Sequence, residues 1–218
     1  MKNKFLVLEG LEGSGKTTAC NIIVKFLKEK KINNIIVTHD PGGTPLADQI
    51  CYFIKHGSHR EIITDKAELL MFYTARLQLL ENIIKPALAR GTWVVGDRYN
   101  LSTWAYQGAG KNINRTLIKI LQENILEQFL PDLTVYLDIT PEVGLCRIVN
   151  RRKLDRIEQQ SIKFFTKIRN YYLAQAKKNK NILVIDAHQP LSVVSSTLRN
   201  MLEIWWTEQC NKYNGIHG

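Results

Sequence analysis

The chain has 218 residues, of which 44% are hydrophobic, and its formal net charge is +10 at pH 7. This length and apolar content predict a single domain, residues 1–218, that folds without metal or disulfide staples. The four cysteines lie far apart and include no Cys-x-x-Cys pair, which argues against a zinc site or a disulfide framework and favours a reducing, cytoplasmic compartment.

We expect no contact with a membrane or with nucleic acid. No apolar run reaches the length of a signal peptide or of a membrane span. The sequence also lacks a recognition-helix, RNA-binding or zinc-finger signature. The basic charge agrees either with a solvated surface, since lysine is abundant throughout, or with anionic small substrates.

Short apolar runs alternate with longer helical patterns along the chain, which is typical of βαβ units. The runs predicted as strands are residues 5–8, 35–38, 93–96, 133–137 and 182–185. The clearest helical patterns cover residues 66–90, 113–129, 141–150, 155–179 and 192–210. Because several strand runs are apolar at every position, they predict an α/β fold, a parallel five-stranded sheet with helices on both faces. Ligands bind beyond the carboxyl ends of the strands in such sheets.

Residues 5–18 contain a complete phosphate-binding loop. The first strand leads into Gly10-x-x-x-x-Gly15-Lys16-Thr17, and a helical pattern follows directly. The glycines let backbone N–H groups surround a phosphate, while Lys16 reaches the β- and γ-phosphates and the Thr17 hydroxyl ligates Mg²⁺. The helix N-terminus adds partial positive charge. The predicted nucleoside triphosphate site comprises Gly10, Leu11, Glu12, Gly13, Ser14, Gly15, Lys16, Thr17 and Thr18.

An acidic and a basic residue follow the third strand. Asp97 closes the apolar run, where a P-loop protein sets an acid near Mg²⁺, and Arg98 would hold a phosphate with both arms of its guanidinium. The alternative is a capped turn with a surface ion pair.

Residues 147–156 concentrate cations where one predicted helix ends and the next begins. One interpretation is a solvated basic turn that opposes the helix dipole. The other is a mobile lid that brings arginines onto the transferring phosphoryl group and excludes water.

Phe72 and Arg76 lie one turn apart in the predicted helix 66–90. Taken separately, they would be a core residue and a solvated residue. Together they have the spacing of a ring that stacks on a base and a guanidinium that hydrogen-bonds its edge. Thr103 and Tyr106 would likewise present hydroxyls one turn apart if their segment is helical.

These motifs, in this order, resemble bacterial thymidylate kinases. The matching segments are Gly-Leu-Glu-Gly-Ser-Gly-Lys-Thr-Thr at 10–18, Asp-Pro-Gly-Gly-Thr at 40–44, Leu-Met-Phe-Tyr-Thr-Ala-Arg at 70–76, Gly-Asp-Arg-Tyr at 96–99, Ser-Thr-x-Ala-Tyr-Gln-Gly at 102–108, Pro-Asp-Leu-Thr-Val-Tyr-Leu-Asp at 131–138 and Leu-Asp-Arg-Ile-Glu at 154–158. The resemblance implies a P-loop kinase fold with a small lid, a homodimer, and transfer of the γ-phosphoryl group of ATP to thymidine 5′-monophosphate (dTMP) with Mg²⁺.

The resemblance also implies the roles of the acceptor-site residues. Phe72 would stack on thymine, Arg76 would hydrogen-bond its carbonyl edge, and Thr103 with Gln107 would complete the base pocket. Arg98 would hold the acceptor phosphate.

Two further residues would contact the sugar, and the lid would supply positive charge. Glu12 would meet the 3′-hydroxyl, and Tyr106 would crowd the 2′ position. The P-loop contains no cation besides Lys16, so the chain resembles the members whose catalytic arginines come from the lid. Arg151 is the first candidate for that role, beside Lys16 and Arg98 as catalytic residues. Arg147 and Arg152 share this resemblance, and the lid would also contribute Arg147 and Arg156. Arg147 and Arg151 are predicted to bind ATP as well.

One departure concerns the loop after the second strand. The family's usual Arg-Glu-Pro-Gly-Gly reads His39-Asp40-Pro-Gly-Gly here. A titratable imidazole therefore replaces a permanent cation, and we expect His39 to attract the acceptor phosphate only when it is protonated. Asp40 remains a candidate substrate residue, one methylene shorter than the usual glutamate.

Three other functions are compatible with a P-loop. A GTPase would carry an Asn-Lys-x-Asp motif, which is absent from the sequence. A kinase of thymidine or another nucleoside would have less use for Arg98, because its acceptor carries no phosphate. A nucleic-acid-stimulated ATPase would use the basic surface, and its ATP turnover would depend on single-stranded DNA.

Overall fold

The computed structural model describes residues 3–57, 61–149 and 153–214, which contain a five-stranded parallel sheet of order β2-β3-β1-β4-β5. The strands are β1 Phe5–Gly10, β2 Ile35–His39, β3 Trp93–Asp97, β4 Leu133–Asp138 and β5 Ile182–Asp186. The predicted α/β fold is therefore confirmed. Each strand extends one or two residues beyond its predicted end, so the polar residues at the carboxyl edge continue the strands.

Helices cover both faces of the sheet. They are α1 Lys16–Glu29, α2 Pro45–His56, α3 Asp65–Leu79, α4 Lys85–Ala89, α5 Asn100–Thr103, α6 Arg115–Ile125, α7 Pro141–Val149, α8 Ile162–Ala176 and α9 Leu191–Asn214. A π-helical segment, Leu80–Ile84, joins α3 to α4, and a second one, Trp104–Gly110, continues α5. Within the described ranges, no helix combines the length and apolarity that crossing a membrane requires.

The alternation of side chains along β1 explains the two hydrophobic cores. Leu6 and Leu8 pack into the cluster formed with α1, α8 and α9, whereas Phe5 and Val7 pack into the cluster formed with α3, α4 and α6. Both faces of β1 are buried throughout its length. The strand is therefore held firmly where it leads into the phosphate-binding loop.

Two predicted helices are markedly shorter in the structure. The pattern at 113–129 ends at Ile125, because Glu127 and Gln128 adopt left-handed φ values of 48° and 60°. The pattern at 155–179 begins only at Ile162, after the side chain of Ser161 accepts a capping hydrogen bond. α2, whose first turn contains Pro45, has no counterpart among the predicted helical patterns.

The P-loop is packed directly against α7. A Cβ atom at Gly144 would lie 2.6 Å from the carbonyl oxygen of Glu12, and one at Gly13 would lie 2.2 Å from the carbonyl oxygen of Gly144. Both positions therefore require glycine for close backbone contact. The loop is held on this side by α7, which leads towards the predicted lid.

Candidate active site

The phosphate-binding loop connects β1 to α1 in the predicted order of strand, loop and helix. Gly10, Gly13 and Gly15 have φ angles of 147°, 75° and 92°, which side chains rarely adopt. α1 has no side-chain cap and no acidic residue in its first turn. Its first N–H groups are therefore available to an anion, which the helix dipole also favours.

The Lys16 side chain folds back over this loop. Its Nζ donates to the carbonyl oxygens of Gly10 at 3.2 Å and Leu11 at 3.0 Å. Desolvation by burial and the neighbouring cation Arg98 lower the pKa of Lys16 to about 8. Phosphate groups bound in the loop would favour the charged form of this amine.

Thr17 and Asp97, the predicted metal ligands, lie at the start of α1 and at the end of β3. The Asp97 Oδ1 atom is buried and has no hydrogen-bond partner in the described parts of the chain, and Thr17 is exposed. A carboxylate oxygen without a donor suits Mg²⁺, which prefers oxygen ligands. No group of three acidic, histidine or cysteine side chains in the described ranges forms a metal site by itself. The donor set therefore fits an ion held mainly by substrate phosphates and water.

Arg98 connects the P-loop with a neighbouring cavity. Its Nη2 donates to Glu12 Oε1 at 2.6 Å and to the Tyr106 hydroxyl at 3.1 Å, and its Nη1 donates to Ser102 Oγ at 3.1 Å. The Tyr106 hydroxyl donates in turn to Glu12 Oε2 at 2.7 Å. Because Arg98 and Glu12 both line the cavity, the alternative of a surface ion pair is wrong.

Glu9 holds the backbone that carries Arg98. This buried carboxylate accepts hydrogen bonds from the N–H groups of Tyr99 (3.0 Å) and Ser102 (3.2 Å) and from the hydroxyls of Ser102 (2.6 Å) and Tyr172 (2.8 Å). Arg98 itself has a left-handed φ of 70°. The bonds to Glu9 offset this uncommon conformation. Glu9 is not among the predicted site residues, although an acidic residue within an apolar strand indicates a buried polar contact.

A cavity adjoins Arg98. All the residues predicted to bind the acceptor line this cavity, namely Glu12, Asp40, Phe72, Arg76, Arg98, Thr103, Tyr106 and Gln107. Lys55, Asp155 and Ile157, which the sequence analysis did not single out, also line it. Folding thus brings together side chains from the P-loop, α3, α5 and the second π-helical segment.

Arg76 is buried, which contradicts the interpretation of a solvated side chain. Its Nε donates to Asp40 Oδ2, and its Nη1 donates to Asn100 Oδ1 at 3.2 Å. The guanidinium also lies 5.4 Å from the ring centroid of Tyr73. These contacts fix its plane. Nη2 has no hydrogen bond to any described part of the chain, so it is available to a ligand.

The other base-pocket candidates lie close to Arg76. Phe72 is 8% exposed and lines the cavity. Thr103 lines it too, and its buried Oγ1 has no hydrogen-bond partner among the described residues. Gln107 lines it too, and its Nε2 donates to Glu68 Oε1 at 3.0 Å. The segment of Thr103 and Gln107 is helical, as α5 and the following π-helical segment.

The candidate lid arginines have different surroundings. Arg147 donates to the carbonyl oxygens of Gly13 at 3.3 Å and Ala187 at 3.1 Å, so it reaches the P-loop backbone. Arg156 instead donates to Glu68 and, at 3.0 Å, to the Ile54 carbonyl. Its guanidinium is therefore engaged away from the P-loop. Arg151 lies outside the described residues.

His39 does not line the cavity. Its side chain is 57% exposed, and its Nε2 lies 3.4 Å from Asp48 Oδ1. The expected attraction between His39 and an acceptor phosphate therefore has no support from this geometry. The cause is the loop conformation, since the imidazole is directed towards Gly42 and Asp48 while Asp40 turns inward.

A comparison with protein families complements this geometry. The family model described as Thymidylate kinase matches residues 8–198. The match begins within β1 and ends within α9, so it includes every site residue discussed above.

The lowered pKa of Lys16 predicts a pH-dependent affinity for ATP. The ammonium loses its proton as the pH rises through about 8, so the affinity should fall between pH 7 and 9.5. Isothermal titration of ATP into wild type and Lys16→Met would measure it. The variant should bind weakly with little pH dependence. Equal pH dependence in both proteins would contradict the assignment to Lys16.

Proposed function

The chain belongs to the thymidylate kinase family and phosphorylates dTMP in the synthesis of dTTP, and from the geometry we propose how its residues do so. The observation that carries the proposal is the position of Arg98 between the phosphate-binding loop and the cavity. Phosphoryl transfer needs donor and acceptor held side by side, since catalysis consists largely of positioning and charge stabilisation.

The donor is ATP, with its phosphates bound by residues 10–18. The free N–H groups at the start of α1 and the Lys16 ammonium bind the β- and γ-phosphates. Thr17 and Asp97 hold Mg²⁺, which neutralises charge on these phosphates. Arg147, at the Gly13 carbonyl, lies beside the donor.

The thymine base occupies the inner part of the cavity. The Phe72 ring packs against its face, while Arg76 donates from Nη2 to a carbonyl oxygen. Thr103 and Gln107 complete the polar edge. The unpartnered Thr103 hydroxyl supports this assignment, because a buried hydroxyl without a partner is unfavourable until a ligand supplies one.

The sugar and the acceptor phosphate lie at the Arg98 end of the cavity. Arg98 exchanges part of its contact with Glu12 for the phosphate, and Glu12 then accepts from the 3′-hydroxyl. Burial raises the pKa of Tyr106, so the phenol stays protonated. Its ring would crowd a 2′-hydroxyl, which favours deoxyribose. Asp40 acts through Arg76, whose guanidinium it orients.

Transfer of the phosphoryl group requires cations and exclusion of water. Lys16, Arg98 and Arg151 are the catalytic residues of this proposal, and a lid at about 147–156 supplies the last of these. Arg156 anchors the lid through Glu68 and α2 and does not touch the phosphates.

We further propose a cytoplasmic homodimer. The four cysteines, all in described ranges, are free thiols, which suits a reducing compartment. Exposed apolar side chains on neighbouring helices, Leu46 and Phe53 on α2 and Leu70 on α3, offer a surface for a second copy.

An acceptor panel tests the function. In a coupled assay with ATP-Mg²⁺, dTMP should be the best acceptor among the deoxynucleoside and ribonucleoside monophosphates and thymidine. Sites that hydrogen-bond a substrate reject analogues without the matching groups by up to about 10⁴-fold. Preference for thymidine would favour the nucleoside kinase alternative. ATP turnover that depends on single-stranded DNA would favour the nucleic-acid-stimulated ATPase.

Arg151→Ala should lower kcat by about 10²- to 10⁴-fold with a much smaller change in KM for dTMP, because the lost charge acts mainly in the transition state. Arg151→Lys should recover only part of this loss, since lysine lacks the planar fork. Arg152→Ala, at the neighbouring lid arginine, is measured in parallel and should lose much less kcat than Arg151→Ala. If Arg151→Ala keeps a normal kcat, or loses only ATP affinity, the role belongs to Arg147 or Arg152.

A further inference from the structure

We propose that Glu68 sets the base preference of the acceptor site by fixing the orientation of the Gln107 side-chain amide. Glu68 lies on α3, one turn before Phe72, and is fully buried. It does not line the cavity, so it would act through Gln107 as a positioning residue. The inference rests on the proposed contact between Gln107 and the base.

The partners of Glu68 determine which end of the amide faces it. Its Oε1 accepts from Gln107 Nε2 at 3.0 Å and pairs with Lys111 Nζ at 2.8 Å, while its Oε2 pairs with Arg156. A carboxylate has lone pairs and no proton to donate. The amide of Gln107 must therefore direct its NH₂ group towards Glu68, and the flipped orientation would set two acceptors against each other.

The carbonyl oxygen of Gln107 is consequently left for the ligand. Within the described chain this Oε1 receives no hydrogen bond, although Gln107 lines the cavity. Arg76 contributes a hydrogen-bond donor to the same cavity, because its Nε and Nη1 are engaged by Asp40 and Asn100 and its Nη2 is left for the ligand. One acceptor and one donor match an imide edge, which has an N3–H beside a carbonyl. They oppose the cytosine edge, which has an unprotonated N3 beside an amino group.

Glu68→Gln tests this inference, because the new side chain keeps its size but can either donate or accept. The Gln107 amide is then free to flip. We expect the ratio of kcat/KM for dTMP to that for dCMP to fall by about tenfold or more. The ratio of dTMP to dUMP should stay unchanged, since both bases carry N3–H.

Two control variants separate orientation from general loss of structure. Lys111→Met and Arg156→Met each remove one cation from Glu68 but leave its bond to Gln107. Arg156→Met also releases the lid anchor, so it should lower the activity towards all acceptors alike. Both variants should keep the wild-type ratio of dTMP to dCMP. If Glu68→Gln does not fold, Glu68→Asp, which keeps the charge but shortens the reach, gives the same readout.

Gln107→Leu distinguishes this inference from the proposed base contact. If Gln107→Leu loses the preference for dTMP over dCMP while the Glu68 variant keeps it, the role of Glu68 is overturned and the base pocket stands. If both variants keep the preference, Gln107 does not read the base, and the inference fails with that assignment. If both the Gln107 variant and the Glu68 variant lose the preference for dTMP over dCMP, the result supports the inference.

Discussion

The ion pair between Arg98 and Glu12 is the interaction on which the rest of the site depends. It joins the end of β3 to the P-loop, and both residues line the cavity that adjoins this loop. A partly buried cation is tolerated only with charge and hydrogen-bond partners. Against the effect of burial, the Glu12 carboxylate helps to raise the pKa of Arg98 well above its usual value. The guanidinium thus remains a fixed positive charge, which an acceptor phosphate can share.

Similar pairing stabilises the remainder of the cavity. Asp40 holds Arg76, and Glu68 holds Lys111 together with Arg156 from the segment before α8. Each pair joins parts of the chain that are distant in sequence, so the pocket takes its shape from electrostatic pairing as well as from apolar packing. The consequence is preorganisation, because the donors and acceptors that face the ligand are oriented before it binds.

The sequence predicted the parts of the molecule that depend on local patterns. The phosphate-binding loop and the strands before Glu9 and Asp97 follow from short-range order, since glycine spacing and continuous apolar runs suffice to identify them. The eight residues that the resemblance assigns to the acceptor site also line one cavity, although Lys55, Asp155 and Ile157 beside them were not indicated. What they could not indicate were long-range partners, such as the pairing of Glu68 with Arg156, 88 positions away. The outward direction of His39 likewise depends on the folded loop.

Direct binding of thymidine and dTMP to wild type and Arg98→Met tests the central claim. If the Arg98 guanidinium holds the acceptor phosphate, wild type should bind dTMP much more tightly than thymidine in isothermal titration. The variant should bind both with similar affinity, because a charge-assisted bidentate contact is lost. Retained thymidine binding would show that the base pocket is intact. An Arg98→Met protein that still prefers dTMP as strongly as wild type does would contradict the account.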